Sequence, residues 1–205
     1  MTSWQELRDE AAGCTRCDLY RRATQTVFGE GRTGVSITLV GEQPGDQEDK
    51  QGHPFVGPAG RILDRALDEA GIDRADVYVT NAVKHFKWTE RGKRRIHQRP
   101  NGMEIRACGF WLEAELGTVR PRLVVLLGAV AGEAMFGSRY RVGEHRGKTE
   151  EASLGSWRGL VMGTIHPSAV LRGPDPEDSE GRDRAYAGLV ADLVTAREAA
   201  AEAAR

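Results

Sequence analysis

Four short runs of apolar and β-branched residues constrain this chain more than any other feature. They are residues 35–40 (VSITLV), 77–83 (VYVTNAV), 123–127 (LVVLL) and 160–165 (LVMGTI). Between them lie helical patterns at 58–70 (PAGRILDRALDEA), 103–117 and 129–136. Nearly continuous apolar strands alternating with amphipathic helices predict a parallel sheet covered on both faces. The stretch 180–205 is alanine-rich and carries Tyr186, Leu189, Val190 and Leu193 at helical spacing, as a last helix that frays at its tail. Before it, 172–183 (RGPDPEDSEGRD) is a polar, turn-rich loop. No internal repeat interrupts the pattern. A chain of 205 residues suffices for one well-buried core and is short for two. The expected fold is α/β: a single domain over 1–205, with a central, mainly parallel four-stranded sheet and helices on both faces.

Composition narrows the possible functions. No apolar run approaches the roughly 20 residues that span a bilayer, so no membrane association is expected. The opening MTSWQELRDEAAG is acidic and polar, unlike a secretory signal, and a cytoplasmic address is expected. A net charge of −1 argues against a chain that is basic throughout, yet one basic patch is enough for phosphate contact. Three cysteines cannot close a disulfide framework, which turns attention to metal ligation. Nothing demands a dimer, and a monomer is expected.

In open α/β sheets, ligands bind beyond the carboxyl ends of the strands. Here those ends are followed by Gly41-Glu42-Gln43-Pro44-Gly45-Asp46, by Asn81 and a basic loop at 84–100, by Gly128-Ala129, and by His166-Pro167-Ser168. Acid, amide and imidazole are thereby expected on one rim, a layout suited to catalysis.

The segment 41–63 (GEQPGDQEDKQGHPFVGPAGRIL) is the most informative. Its tight turn presents Glu42 at the sheet edge, Phe55 offers an aromatic face, and Gly57-Pro58-Ala59-Gly60 opens a helix whose N-terminus suits a phosphate. The plainer alternative is a solvated turn followed by a core phenylalanine. A second constellation comprises Cys14, Cys17 and Cys108, with His85 as the candidate fourth ligand. By ligand chemistry alone, three cysteines and a histidine form an ordinary structural zinc set. The third feature is the loop 84–100 (KHFKWTERGKRRIHQRP), in which six Lys or Arg residues lie between Lys87 and Arg99. Such a loop is a solvated surface or a phosphate contact, and Lys93, Arg94 and Arg95 are its candidate phosphate-binding residues, together with Arg172.

The pattern GE-x-PG…ED…G-x-PFVG-x-AG-x-x-L, followed by Asn81 and by His166-Pro167-Ser168, resembles the motifs of family 4 uracil-DNA glycosylases. They occur in the right order and span nearly the whole chain. The resemblance implies that Glu42 is the motif-one acid, that Phe55 stacks on uracil, that Asn81 reads the pyrimidine edge, and that His166 stabilises the departing base. The chemistry suits those roles. An Asn amide can accept from uracil N3–H and donate to O4, a pairing that cytosine inverts. Stacking offsets the cost of extruding a base, and an imidazole N–H can hold the charge that glycosidic cleavage leaves on the pyrimidine. The resemblance also implies a [4Fe–4S] cluster rather than zinc, although the family has cysteine where this chain has His85.

Family 4 chains have a much shorter, proline-rich connection in place of the basic loop. The segment Lys93-Arg94-Arg95-Ile96-His97 is similar instead to the hallmark loop of UdgX, a branch of the superfamily, as are Gln43 and His85. That resemblance implies attack of His97 on deoxyribose C1′ and a protein that stays joined to its DNA, with free uracil as product. On this reading Gln43, Asp46, Phe55 and Asn81 contact the substrate. Two alternatives stand beside it: a conventional multiple-turnover glycosylase in base excision repair, with Glu42 orienting water, and a non-catalytic DNA-binding module organised by a metal site.

Overall fold

The computed structural model describes residues 3–172 and 179–203, apart from the side chain of Arg172. The DNA contact expected of Arg172 therefore lies outside the described residues. In chain order the strands are β1 (Ile37–Gly41), β2 (Val77–Asn81), β3 (Trp88–Arg91), β4 (Arg94–His97), β5 (Leu123–Leu127), β6 (Thr149–Leu154) and β7 (Trp157–Thr164). The helices are α1 (Trp4–Ala12), α2 (Asp46–Gln51), α3 (Pro58–Glu69), α4 (Gly102–Val119), α5 (Ala129–Phe136), α6 (Val142–His145), α7 (Pro167–Arg172) and α8 (Ser179–Glu202).

The central sheet has five strands rather than four, in the order β2-β1-β5-β7-β6. Four are parallel, and β6 adds an antiparallel edge to β7. The additional strand is polar, TEEASL, and alternates between exposed and half-buried positions, so it lacks the apolar continuity of its neighbours. Its signal is the two-residue turn Gly155-Ser156, where Gly155 takes φ 56°. Residues 179–183, expected within a polar loop, belong to α8, which begins at Ser179.

Alternation along the strands divides the core in two. Val40, Val124 and Leu126 pack with Ile105, Leu112 and Leu116 of α4. Leu39, Val125 and Leu127 pack on the opposite face with Leu63 and Leu67 of α3 and Leu189 and Leu193 of α8. Each fully buried leucine contributes roughly 1.5–3 kcal/mol from leaving water. Helix starts are written locally: Ser3 with Glu6, and Asn101 with Glu104, form reciprocal caps on α1 and α4. No helix among the described residues is long and apolar enough to cross a membrane.

Chain order reverses at β1, whose neighbours are β2 on one side and β5 on the other. At the carboxyl ends beside this switch point, where open α/β sheets bind ligands, β1 and β2 deliver Glu42 and Asn81.

The basic loop is itself structured. Strands β3 and β4 form a separate antiparallel ribbon in which Trp88 pairs with His97. The turn is Gly92-Lys93, with Gly92 at φ 61°, as a tight hairpin requires at its first central position.

Candidate active site

The register of the sheet sets the floor of the site. Gly41 pairs with Asn81 across β1 and β2. A Cβ on Gly41 would lie 2.4 Å from Asn81 Oδ1 and 2.5 Å from the Phe55 ring, so only glycine lets the amide and the ring meet there. Phe55 is held at φ 58°, an uncommon conformation for an aromatic residue. Its carbonyl lies against Gly60, where a Cβ would come within 1.7 Å. The Glu48 carboxylate, accepting from the Gly57 amide at 2.8 Å, ties the PFVG segment to α2. A strained aromatic residue over-determined by its surroundings is typical of a binding site.

His166 follows β7, and its ring lies 6.0 Å from that of Phe55, at an interplanar angle of 30°. The Ser168 amide donates to His166 Nδ1 at 3.1 Å. A backbone N–H can only donate, so Nδ1 carries the lone pair and the neutral ring has its proton on Nε2. His166 thus presents an N–H donor.

His97, at the end of β4, brings Nε2 to within 3.3 Å of Glu42 Oε1. Four sequence-predicted residues therefore occupy the rim of the sheet (Glu42, Phe55, Asn81 and His166), and the ribbon carries a fifth to them.

Three other predicted contacts have different partners. Gln43, expected in the base pocket, gives its amide hydrogens to the carbonyls of Lys87 at 3.2 Å and Gln98 at 3.0 Å, and its oxygen accepts from the Lys87 amide at 3.1 Å. It fastens both roots of the ribbon. Asp46, expected on substrate, accepts from Arg95 Nε at 2.6 Å and also pairs with Lys50, so it anchors the ribbon. Burial opposes ionisation of Asp46, but the hydrogen bonds from Lys50 and Arg95 outweigh it and hold the carboxyl below its ordinary range. Arg95, expected on DNA, is instead shared with Asp49 at 2.6 Å. Asp49 was missed from sequence. Its signal is helical spacing, since Asp46 and Asp49 are three apart on α2 and share a face. Lys93 and Arg94 are exposed on the ribbon, as a phosphate contact requires.

The cysteine cluster lies behind β2. Cys14 Sγ accepts from the Trp111 indole N–H at 3.1 Å, and Cys108 Sγ accepts from the Lys84 amide at 3.1 Å. Burial pushes the Cys108 thiol up to about 12 and raises that of Cys17, while burial lowers the His85 imidazole and keeps it neutral. Cys14 and His85 line one cavity of about 230 Å³, and His85 Nε2 lies 2.9 Å from Thr26 Oγ1. Among the described residues, no three such groups converge as ligands of a single ion would. A four-iron cluster takes one ligand per iron, so it needs no common focus, and its sulfur ligands accept N–H donors of the kind found here. Cys14, Cys17, Cys108 and His85 are compatible with such a cluster as well as with zinc.

Comparison with known proteins identifies the family. The uracil DNA glycosylase superfamily profile matches residues 28–190. The chain belongs to the uracil-DNA glycosylase superfamily. It is 34% identical over 174 residues to a type-4 uracil-DNA glycosylase of Pyrobaculum aerophilum, covering 83% of this chain and 85% of that protein. It is 39% identical over 162 residues to a type-4 enzyme of Thermotoga maritima, with 78% of each covered. A type-5 uracil-DNA glycosylase of Thermus thermophilus is 33% identical over 142 residues, covering 58% of this chain and 61% of that protein.

Proposed function

We propose that this chain excises uracil from DNA as a repair glycosylase and that His97 then captures the sugar. The observation that carries the second step is the approach of His97 Nε2 to Glu42 Oε1, at 3.3 Å. Lys93 and Arg94 bind phosphates, and the extruded base stacks on Phe55 with its edge on the Asn81 amide. As the bond from C1′ to the base breaks, its electron pair leaves with uracil, and the His166 N–H holds that charge. One ring nitrogen of His97 gives its lone pair to C1′. The other loses its proton to Glu42, so the adduct is a neutral N-glycosyl imidazole. Its leaving group would be imidazolate, a poor one, and the bond persists.

A second reading is multiple-turnover hydrolysis, in which Glu42 orients a water toward C1′. The type-4 names of the most similar relatives favour it. Both readings share base excision and differ in the fate of the sugar.

Cys14, Cys17, Cys108 and His85 are the residues that would hold a [4Fe–4S] cluster, supported by the two N–H donors on the sulfurs. The cluster would bind the N-terminal segment to the turn after β2. Uracil excision moves no electron, so the group serves structure. Cysteines without a disulfide framework suit a cytoplasmic protein, acting here as a monomer.

The test incubates the protein with a uracil-containing oligonucleotide and reads free uracil and a denaturing gel together. Uracil release with a heat-stable protein–DNA band supports capture. Release with an abasic product and no band supports hydrolysis, and absence of release overturns both.

A further inference from the structure

Behind the end of β2 lies an ion pair with both side chains fully buried, Lys84 with Glu115 of α4. Glu115 Oε1 accepts from the Gly29 amide at 2.8 Å and the Tyr78 hydroxyl at 2.9 Å. Thr80 Oγ1 reaches Glu115 Oε2 at 2.9 Å and accepts from Lys84 Nζ at 2.7 Å. The network also reaches the site: Lys84 Nζ donates to the carbonyl of Asn81 at 2.7 Å.

Two charges taken out of water are costly, and apolar residues of similar volume often serve stability equally well. What an apolar pair cannot supply is a donor to that carbonyl. It is needed here because the chain leaves the sheet after Asn81, where Ala82 and Val83 bond to the carbonyls of Gly41 and Glu42. The Lys84 amide is tied in turn to Cys108 Sγ, so the residue is held at both ends.

We infer that Lys84 is a positioning residue for base recognition: fixed by Glu115, its ammonium closes the turn 81–84 and sets the direction in which Asn81 presents its amide. The inference rests on the reading of Asn81 as the residue that meets the base.

The test replaces the pair together, Lys84→Met with Glu115→Gln, which removes both charges and leaves neither unpaired. Binding of a uracil oligonucleotide is compared with that of its cytosine counterpart, alongside the excision rate at saturating DNA and the thermal midpoint. The preference for uracil should shrink about tenfold, an ordinary share of a two-point base contact, while the saturated rate moves far less. A folded double variant with the parental preference overturns the inference, whatever its midpoint. If the double variant does not fold, Glu115→Asp takes its place, since it keeps both charges and draws the carboxylate back by one methylene. Reduced preference there supports the positioning role, and parental preference overturns it. Asn81→Asp is measured in parallel. If it keeps the parental preference, the assignment of Asn81 fails and this inference falls with it. If it loses the preference while the pair variant keeps it, the positioning role alone is overturned.

Discussion

Asn81 and His97 reach the same site from two kinds of structure. Asn81 ends a buried edge strand of the main sheet, is 2% exposed, and has the Gly41 backbone on one side and the Lys84 ammonium behind it. His97 ends a strand of a two-stranded ribbon, with its side chain 48% exposed. An isolated ribbon is marginal in water. This one is held by Gln43 at its roots and by Arg95 on Asp46 and Asp49 along its length. The contrast separates two tasks. Discrimination among bases needs an amide that cannot turn, whereas bonding to a sugar carbon needs a group that can approach it. Under the proposed mechanism, the rigid rim would govern which base is chosen, and the ribbon what becomes of the sugar.

The largest effect should come from the ribbon. His97→Ser should abolish the heat-stable band while uracil release continues, because water can occupy the vacated space and Glu42 remains to orient it. Repeated turnover with an abasic product is the expected readout, and a His97→Ser protein that still formed the band would sever the ribbon from sugar chemistry. On the rim, Asn81→Asp should weaken uracil recognition by about 1–3 kcal/mol, since a carboxylate cannot donate to O4 and faces it with charge. Competition between uracil and cytosine oligonucleotides measures that loss. Any change in band stability there would blur the division.

A smaller effect is expected of Arg95→Ala. It takes from the buried Asp49 one partner and leaves it Thr24, whose amide and hydroxyl donate at 2.9 and 2.6 Å. The ribbon should lose about 1–3 kcal/mol of local stability, read as faster amide exchange over 88–97, with the sheet unchanged. The smallest effect is on pH. Asp46 ionises below its unfolded value, so its contribution is complete above the ordinary carboxylate range near about 4 and is lost as pH falls through the lowered value. Ribbon protection should therefore persist into mild acid and then fade, and Asp46→Asn should remove that dependence.

The parallel sheet and the residues at its rim were legible because they depend on local signals. Apolar runs mark strands, and in a parallel sheet the residues after each strand arrive at one edge. Gln43, Asp46 and Arg95 were not legible in the same way. A polar residue beside a motif looks alike whether it faces a ligand or another part of the chain, and their partners lie 44 to 55 positions away. The ribbon was hidden by its composition, since neither strand has a strongly apolar face and only Gly92-Lys93 marks the turn. The cysteines and His85 were singled out by residue type, but the donors on the sulfurs, Trp111 and Lys84, come from elements that only folding brings together.

One feature of the ribbon bears on how such a chain can change. The Gln98 amide bonds to the Lys87 carbonyl at 2.9 Å, so the segment departs and returns through a single gate. Everything between those residues is a cassette whose length can vary without displacing either flanking element. A lineage could gain or shed it in one event while the framework that selects the base stayed as it was.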